Sequence, residues 1–330
     1  MSRSSDSHER LVPSEIRRGG RVVRLSNLGK PFWPEEGITK GDLLHYYRCV
    51  APTLLPHLRN RPFTMKRYPD GWQGQPFFRR NVANYAPAWI KRAAVDVAGH
   101  GTPRGSRLIE VPVVNDELAL LWMVNTGCIE CHTWYSRIDM LERPDWVVFD
   151  LDPSADVGFA ETADVALLVK DVLDALGLVS FPKTSGALGI HVLVPIERRH
   201  TFDETRRFAT DVAQRIARTH PEIATTEWST AKRRGVLIDA SQNARGKTIA
   251  SVYSVRPMRG APVSTPLRWE EVNQELDPTI YTINTVHDRL GRHGDLFEGV
   301  LKAKQRLGPA LSAITAPTPG RSRSSATPQR

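Results

Sequence analysis

The sequence predicts an α+β fold in which mixed or antiparallel sheets are flanked by helices. Predicted strands and helices alternate irregularly along the chain, and some strands follow one another through short connections. Two apolar segments, residues 178–183 and 190–195, are separated only by a short turn that contains two glycines. Such connections disfavour a doubly wound parallel sheet, because parallel neighbours need long crossovers between them.

The helices are predicted from capping residues and from apolar positions three or four residues apart. Thr39 suits an N-cap, and Asp42 suits the third position of a capping box. Gly127 and Gly177 each follow an apolar helical pattern, and glycine readily ends a helix. Helices are therefore predicted over residues 40–55, 115–127, 159–176 and 203–218, with a mostly helical part after residue 255.

The strands are predicted from short apolar runs rich in β-branched and aromatic residues. These runs cover residues 63–68, 128–134, 147–153, 178–183, 190–195, 236–239 and 248–255. The ends of the chain, residues 1–20 and 309–330, are rich in small polar residues and arginine, and the second is basic. Both are predicted to be disordered tails, which leaves residues 21–308 as one catalytic domain with room for two lobes.

The chain is basic, with a formal net charge of +9 and a sequence pI of about 9.7. Although part of this charge lies in the tails, it favours a polyanionic partner such as nucleic acid. No apolar run is long enough to span a membrane, and the polar N-terminus does not resemble a signal peptide. The three cysteines are too few for a disulfide framework. These features predict a cytoplasmic protein that associates with the nucleoid and not with a membrane.

Two carboxylates lie one residue apart at the end of the strand Val147-Val148-Phe149-Asp150-Leu151-Asp152-Pro153. Because side chains alternate along a strand, Asp150 and Asp152 point the same way and repel each other unless a cation lies between them. Their hard oxygen ligands suit Mg²⁺ or Mn²⁺. Asp239 ends another apolar strand and is the candidate third ligand. The alternatives are two solvated acids and a turn-capping Asp239.

Two polar segments are candidate nucleotide-binding elements. In the turn from Lys183 to His191, glycines let backbone N–H groups approach phosphate oxygens, and Ser185 can donate to the same anion. The segment 241–248, with Arg256 beyond it, places amide and cationic groups just after Asp239, as triphosphate binding requires. Alternatively, both are ordinary polar hairpin loops.

Aromatic and basic residues are interleaved in the N-terminal part of the chain. Lys30 and Lys40 flank an aromatic segment, Lys66 lies in a predicted strand, and Phe77 and Phe78 precede two arginines. This pattern suits base stacking combined with phosphate contacts. Each of these residues also fits a core edge with cations extended to solvent.

Two other motifs suggest different chemistry. Cys128-Ile129-Glu130-Cys131-His132 matches a haem-attachment pattern, but such proteins are exported, and no second cysteine cluster completes a zinc site. His132 is instead expected to face the active site. The acidic strand also resembles the first motif of dehalogenase-like phosphatases, in which Asp150 would be the nucleophile and Asp152 the general acid. Pro153 and the position of the motif in the chain disfavour a phosphatase.

Three ordered motifs resemble the polymerase domain of bacterial ligase D. They are Phe149-Asp150-Leu151-Asp152-Pro153, then Thr184-Ser185-Gly186 with Gly189 and His191, then Ile238-Asp239 with Ser241-Gln242-Asn243, Lys247-Thr248, Tyr253-Ser254 and Arg256. This family belongs to the archaeo-eukaryotic primase superfamily and acts in non-homologous end joining. The resemblance covers roughly residues 21–300 and implies a primase-like core with DNA polymerase or primase activity, that is, nucleotidyl transfer.

The resemblance, together with the residue patterns above, implies a role for each candidate residue. Two Mn²⁺ or Mg²⁺ ions are assigned to Asp150, Asp152 and Asp239. The nucleotide, NTP or dNTP, is assigned to Lys66, His132, Lys183, Ser185, Gly186, His191, Gln242, Lys247 and Arg256, with His132 on the sugar hydroxyls of a preferred ribonucleotide. Lys30 and Lys40 are assigned to the 5′-phosphate of a gap or broken end, and Phe77 and Phe78 to template stacking.

The sequence departs from the family pattern in two places. Leu188 lies where ligase D domains often carry a lysine, so Lys183 is the expected substitute in contacting the triphosphate. Residues 232–234, Lys-Arg-Arg, replace the single arginine usual before the third aspartate. No ligase or nuclease module is present, so a stand-alone form that works with Ku and a separate ATP-dependent DNA ligase is expected. A non-catalytic DNA-end-binding module is a further alternative.

Overall fold

The computed structural model describes residues 12–97, 108–155 and 157–315. The strands are β1 Glu15–Arg18, β2 Arg21–Arg24, β3 Pro31–Trp33, β4 Ile38–Thr39, β5 Phe63–Arg67, β6 Phe77–Arg79, β7 Arg92–Asp96, β8 Leu108–Pro112, β9 Cys128–Thr133, β10 Trp146–Pro153, β11 Phe181–Thr184, β12 Ile190–Pro195, β13 Ala224–Thr225, β14 Val236–Asp239 and β15 Ile249–Ala250. The helices are α1 Lys40–Leu58, α2 Glu117–Asn125, α3 Phe159–Ala175, α4 Phe202–Thr219, α5 Val286–His293, α6 Glu298–Lys302 and α7 Leu307–Thr315.

A five-stranded sheet in the order β11-β12-β10-β14-β13 forms the centre of the fold. Its strands pair antiparallel except for β13 and β14, which are parallel. Helices α3 and α4 pack on one face, where Phe149 meets Phe208 edge-on at 6.4 Å between ring centroids. Because Asp150 follows Phe149 in the strand, the acidic side chains project from the opposite face.

A second sheet, in the order β15-β9-β5-β6, holds the aromatic and basic residues. All its pairs are antiparallel. Helices α1 and α2 pack together, and α2 contacts β9. One cluster of buried apolar side chains runs through both sheets and their helices. The shared core holds the two sheets in a fixed relationship, which lets residues from both contribute to one site.

The structure confirms the predicted fold class and corrects several element boundaries. Thr39 is the N-cap of α1, and its reciprocal bonds with Asp42 form the predicted capping box. The strand predicted over residues 248–255 is wrong in length, because only Ile249–Ala250 pairs. A turn follows in which Ser254 N–H donates to Ser251 O, and Tyr253 takes a left-handed φ of 62° that no strand accommodates.

Ordered structure extends beyond the predicted limits of the domain at both ends. Strand β1 lies inside the predicted N-terminal tail and pairs with β2, burying Ile16. Helix α7 reaches Thr315 in the predicted C-terminal tail, because Ala310 and Ile314 lie on one buried face. The remainder of both predicted tails, residues 1–11 and 316–330, lies outside the described residues. Across the described ranges, no helix is both long and apolar enough to cross a membrane.

Candidate active site

Asp150 and Asp239 are direct partners on neighbouring antiparallel strands, β10 and β14. Directly opposite residues project from the same face of a sheet, and Asp152 shares that face by alternation. The structure therefore brings all three predicted carboxylates to one face of the central sheet. Asn243, which sequence reasoning did not single out, bonds to both the N–H and the C=O of Val148 and fixes the segment after Asp239 against β10.

The two facing carboxylates have opposite electrostatic environments. Burial raises the pKa of Asp239, and the nearby charge of Asp150 raises it further. Burial also acts to raise the pKa of Asp150, but His191, Lys183 and Arg256 outweigh it and lower the pKa overall. A carboxylate that repels its neighbour and whose pKa is raised is stabilised by a bound cation. Hard divalent ions therefore fit this pair of oxygen donors.

Asp152 is held away from this pair by an arginine. Its Oδ2 lies 3.2 Å from Nη1 of Arg233, whose side chain is only 11% exposed. Within residues 12–97, 108–155 and 157–315, no three His, Cys, Asp or Glu side chains converge as a ready-made metal site. A three-carboxylate cage would thus require Asp152 to leave Arg233.

The turn between β11 and β12 has a backbone arrangement that only glycine permits. Gly186 has a φ of 75°, and an added Cβ would lie 2.5 Å from Cγ of Arg256. The Ser185 hydroxyl accepts from the N–H groups of Ala187 and Gly189, which curls the turn. Arg256 donates to the Ser185 carbonyl oxygen at 2.9 Å. The turn and Arg256 therefore form one preorganised unit beside Asp150.

Lys183 lies beneath the site rather than in it. It is 1% exposed, and its Nζ contacts Nδ1 of His191 at 2.6 Å and donates to Ser264 Oγ and the Ala250 carbonyl. Burial lowers the pKa of His191 to about 4, so the ring is neutral at pH 7. A lysine donating to Nδ1 leaves the proton on Nε2, which lies 3.2 Å from Asp150. The prediction that Lys183 contacts the triphosphate is wrong for this geometry, because the amine is enclosed and fully engaged.

Glu130, like Asn243, is a residue of the site to which the sequence assigned no role. It is 1% exposed and lies 2.8 Å from Lys66 Nζ, 3.2 Å from His132 Nε2 and 3.1 Å from Arg256 Nε, and it accepts from the Tyr68 hydroxyl. Burial acts to raise its pKa, but His132, Arg256 and Lys66 lower it well below the usual range. Strand alternation puts Glu130 on the same face as His132, and this was the available signal.

The buried polar atoms of this region that lack a hydrogen-bond partner among the described residues include His132 Nδ1 and Gln242 Oε1. Buried polar atoms are normally paired, so each is a candidate contact for a bound molecule. Lys247 is exposed and close enough to Asp239 to oppose the rise of its pKa. A cavity of about 500 Å³ also opens beside Asp239, lined by residues that include Arg206, Arg207 and Trp228.

The predicted template-stacking residues lie on the rim of the site. Phe77 and Phe78 are 42% and 58% exposed on β6, where Phe78 is the register partner of Lys66. The Phe78 ring meets His132 edge-on with centroids 5.9 Å apart, and Lys66 Nζ lies 5.5 Å from the Phe78 centroid. An exposed aromatic surface therefore adjoins the group of residues around Glu130.

Lys30 and Lys40 are also neighbours. Lys30 Nζ donates to the Pro69 carbonyl and Asp70, while Lys40 Nζ donates to the Ser26 carbonyl. Burial, together with the nearby charges of Lys30 and Arg67, lowers the pKa of Lys40 to about 8. Concentrated positive charge of this kind favours the binding of an anion. The two lysines thus form a compact cationic site with Arg67 at its edge.

A comparison with known protein families identifies the family of this chain. Residues 39–297 match the model of the LigD primase-polymerase domain. The chain belongs to this family. The resemblance drawn from the three sequence motifs is therefore confirmed, and the similarity of β10 to a phosphatase motif is coincidental.

Relatives of this LigD primase-polymerase domain are longer proteins that are named for more than one function. The chain is 33% identical over 287 residues to the multifunctional non-homologous end joining DNA repair protein LigD of Mycobacterium tuberculosis, covering 84% of this chain and 36% of the relative. It is 35% identical over 277 residues to the bifunctional LigD of Bacillus subtilis, covering 83% and 43%. The chain therefore spans less than half the length of these relatives.

A solved structure shares the fold of this LigD primase-polymerase domain. The polymerase domain of Mycobacterium tuberculosis ligase D, in complex with DNA, superposes with a TM-score of 0.78 at 32% sequence identity. The match covers 86% of this chain and 99% of the other. The similarity confirms the α+β architecture with its mixed sheets.

Proposed function

We propose that this chain is a template-directed nucleotidyltransferase that fills gaps and extends ends in double-strand break repair by non-homologous end joining. The observation that carries the proposal is the pairing of Asp150 with Asp239 beside the turn that Arg256 braces. Family membership and the roles for which its relatives are named support the same reaction. The reaction joins a primer 3′-oxygen to the α-phosphorus of a nucleotide and releases pyrophosphate.

Asp150, Asp239 and, once released from Arg233, Asp152 would hold two Mn²⁺ or Mg²⁺ ions. When bound, such ions lower the pKa of the primer 3′-hydroxyl and neutralise the leaving pyrophosphate. The raised pKa of Asp239 and the all-oxygen donor set support this assignment. His191 is neutral and is oriented by Lys183, so its Nε2–H points toward Asp150. From there it can donate a hydrogen bond to a phosphate oxygen bound beside Asp150.

The nucleotide is proposed to lie between the two sheets. Ser185 and Gly186 would present the turn to its phosphates, with Arg256, Lys66 and Lys247 as cations. His132 Nδ1 and Gln242 Oε1 lack partners among the described residues and are available for the sugar and base. A contact from His132 to a 2′-hydroxyl would favour ribonucleotides.

The DNA is proposed to occupy the rim and the cationic site. Phe77 and Phe78 would stack with the template, and Lys30 and Lys40 would bind the 5′-phosphate of a gap or broken end. In the cytoplasm the protein would act at the nucleoid with Ku and a separate ATP-dependent DNA ligase.

Primer extension on a 5′-phosphorylated gapped duplex tests this function. With Mn²⁺ present, we expect addition of the nucleotide complementary to the template, with ribonucleotides incorporated faster than deoxynucleotides. Binding of the gapped duplex without extension, under any nucleotide and either metal, would instead identify a non-catalytic end-binding module. Equal incorporation of all four nucleotides would contradict template direction.

A further inference from the structure

Tyr85 is an exposed aromatic residue held firmly in place. Its side chain is 61% exposed, and its ring lies 6.1 Å from the ring of the buried Trp122. Arg67 Nη1 donates to its hydroxyl at 3.1 Å, and the Arg79 guanidinium carbon lies 5.8 Å from its ring centroid. A large apolar surface fixed by three neighbours and left exposed is a preorganised contact for a flat ligand.

Arg67 connects Tyr85 to the cationic site. Its guanidinium carbon lies 5.2 Å from the Phe77 ring centroid, and its Nε donates to the Thr126 carbonyl at 2.6 Å. Thr126 follows Asn125, whose side chain accepts from the Ser26 N–H, and Lys40 Nζ donates to the Ser26 carbonyl, so Arg67 lies at the edge of the Lys30 and Lys40 site. Arg67 therefore contacts two exposed aromatic rings, Phe77 and Tyr85.

The Phe77 and Phe78 rings lie on two faces of β6, which is the edge strand of its sheet. Phe78 contacts His132 in the active site, whereas Phe77 projects from the other face and has Arg67 as its register partner. Tyr85 also contacts Arg67. A nucleic-acid strand that leaves the active site past Phe78 and crosses the edge of β6 would reach Phe77, Arg67 and Tyr85.

The charge around Tyr85 suits a nucleic-acid strand. Arg67 and Arg79 both contact Tyr85, and the acidic side chain paired with Lys30 is the largely exposed Asp70. Cations beside an exposed ring are the usual combination for stacking a base while neutralising its phosphate.

We propose that Tyr85 stacks against the terminal base of the DNA strand whose 5′-phosphate binds Lys30 and Lys40. This inference rests on the proposed function, because it extends the 5′-phosphate site to the first base of the downstream strand. The protein would then recognise a strand end by two features, the phosphate and the base attached to it.

Equilibrium binding to two gapped duplexes tests this proposal. Both carry the same 5′-phosphate, but one has a normal terminal base and the other an abasic residue at that position. Since stacking contributes about 1–3 kcal/mol per base, we expect the abasic end to bind the unmodified protein at least about fivefold more weakly. Tyr85→Ala should bind both ends equally, and Tyr85→Phe should keep the discrimination because it keeps the ring.

A primer-template without a downstream strand is the matched control, and Tyr85→Ala should bind it as the unmodified protein does. Equal binding of both ends by the unmodified protein, or full discrimination by Tyr85→Ala, would overturn the proposal and leave Tyr85 as a cover for Trp122. If either result is obtained while the protein still prefers ends that carry a 5′-phosphate, the proposed function stands. Loss of that preference in the unmodified protein would overturn the phosphate site and the Tyr85 proposal together, whereas primer extension would still report on catalysis.

Discussion

Asp150 faces Asp239 across the β10–β14 pair, and His191 faces Asp150 from the other side in the same register. The catalytic face is thus a row of three side chains on adjacent strands. Across this row the environment changes from a neutral imidazole to a carboxylate with a lowered pKa and then to one with a raised pKa. A divalent ion would be drawn to the carboxylate end of the row.

Glu130→Gln should weaken nucleotide binding more than it slows the chemical step. The change removes the negative charge that holds Lys66, His132 and Arg256 together. Charge-assisted bonds contribute about 1.5–3 kcal/mol each, so we expect KM for the nucleotide to rise about tenfold or more. Steady-state kinetics on a gapped duplex would show this change. A KM equal to that of the unmodified protein would show that Glu130 only stabilises the fold.

Arg233→Ala should tighten Mn²⁺ binding in the absence of nucleotide. The guanidinium competes with the ion for Asp152, which is 59% exposed, so the ion pair is worth no more than about 1 kcal/mol and the gain is at most about fivefold. Titration followed by electron paramagnetic resonance measures it. Arg234→Ala is the control, because Arg234 donates to the carbonyl of Arg233 and not to a carboxylate. Equal gains in both variants would argue against competition at Asp152.

Recognition of the 5′-phosphate should weaken as the pH rises through about 8. In the free protein the Lys40 amine loses its proton near that pH, because burial and the charges of Lys30 and Arg67 lower its pKa. A bound phosphate stabilises the protonated amine, so binding above pH 8 takes up a proton. Affinity should be nearly constant between pH 7 and 8 and should fall toward pH 10. DNA with a 5′-hydroxyl end is the control. The same dependence of affinity on pH for both ends would exclude Lys40 as the cause.

Asn243→Ala should destabilise the fold and disturb the acidic face together. Asn243 satisfies both backbone groups of Val148, and leaving a buried polar group unpaired costs about 1–3 kcal/mol. Urea unfolding should show that the free energy of unfolding falls by an amount in that range. Asn243→Asp keeps the acceptor for the Val148 N–H but turns a carboxylate oxygen toward the Val148 and Ala240 carbonyls in a buried position, so it should cost at least as much as Asn243→Ala. An Asn243→Ala protein as stable as the unmodified one would contradict this role.

Local patterns were sufficient to predict the fold class and the acidic face. Apolar runs and strand alternation predicted that Asp150, Asp152 and Asp239 lie at strand ends on one face, because side chains alternate along a strand in any sheet. Thr39 and Asp42 likewise determine the start of α1 by a bond between residues close in sequence. Features that depend on neighbouring residues in the chain were therefore accessible.

Contacts between distant segments were not accessible in this way. Glu130 meets Lys66 and Arg256 only because β5, β9 and the turn after β15 converge. Lys183 was assigned to the nucleotide because of its charge, yet tertiary packing buries it beneath His191. The resemblance to ligase D indicated which residue types matter, but tertiary packing determines which of them reach the site.

Primer extension by Asp239→Asn on a 5′-phosphorylated gapped duplex with Mn²⁺ tests whether Asp150 and Asp239 hold the metal ions of the reaction. The variant preserves size and the hydrogen bond from Ser241, but it removes the charge that faces Asp150. Losing about 4 kcal/mol of transition-state stabilisation predicts extension slower by about a thousandfold, with DNA binding retained. Extension at the rate of the unmodified protein would contradict the assignment of Asp150 and Asp239 as a metal-binding pair.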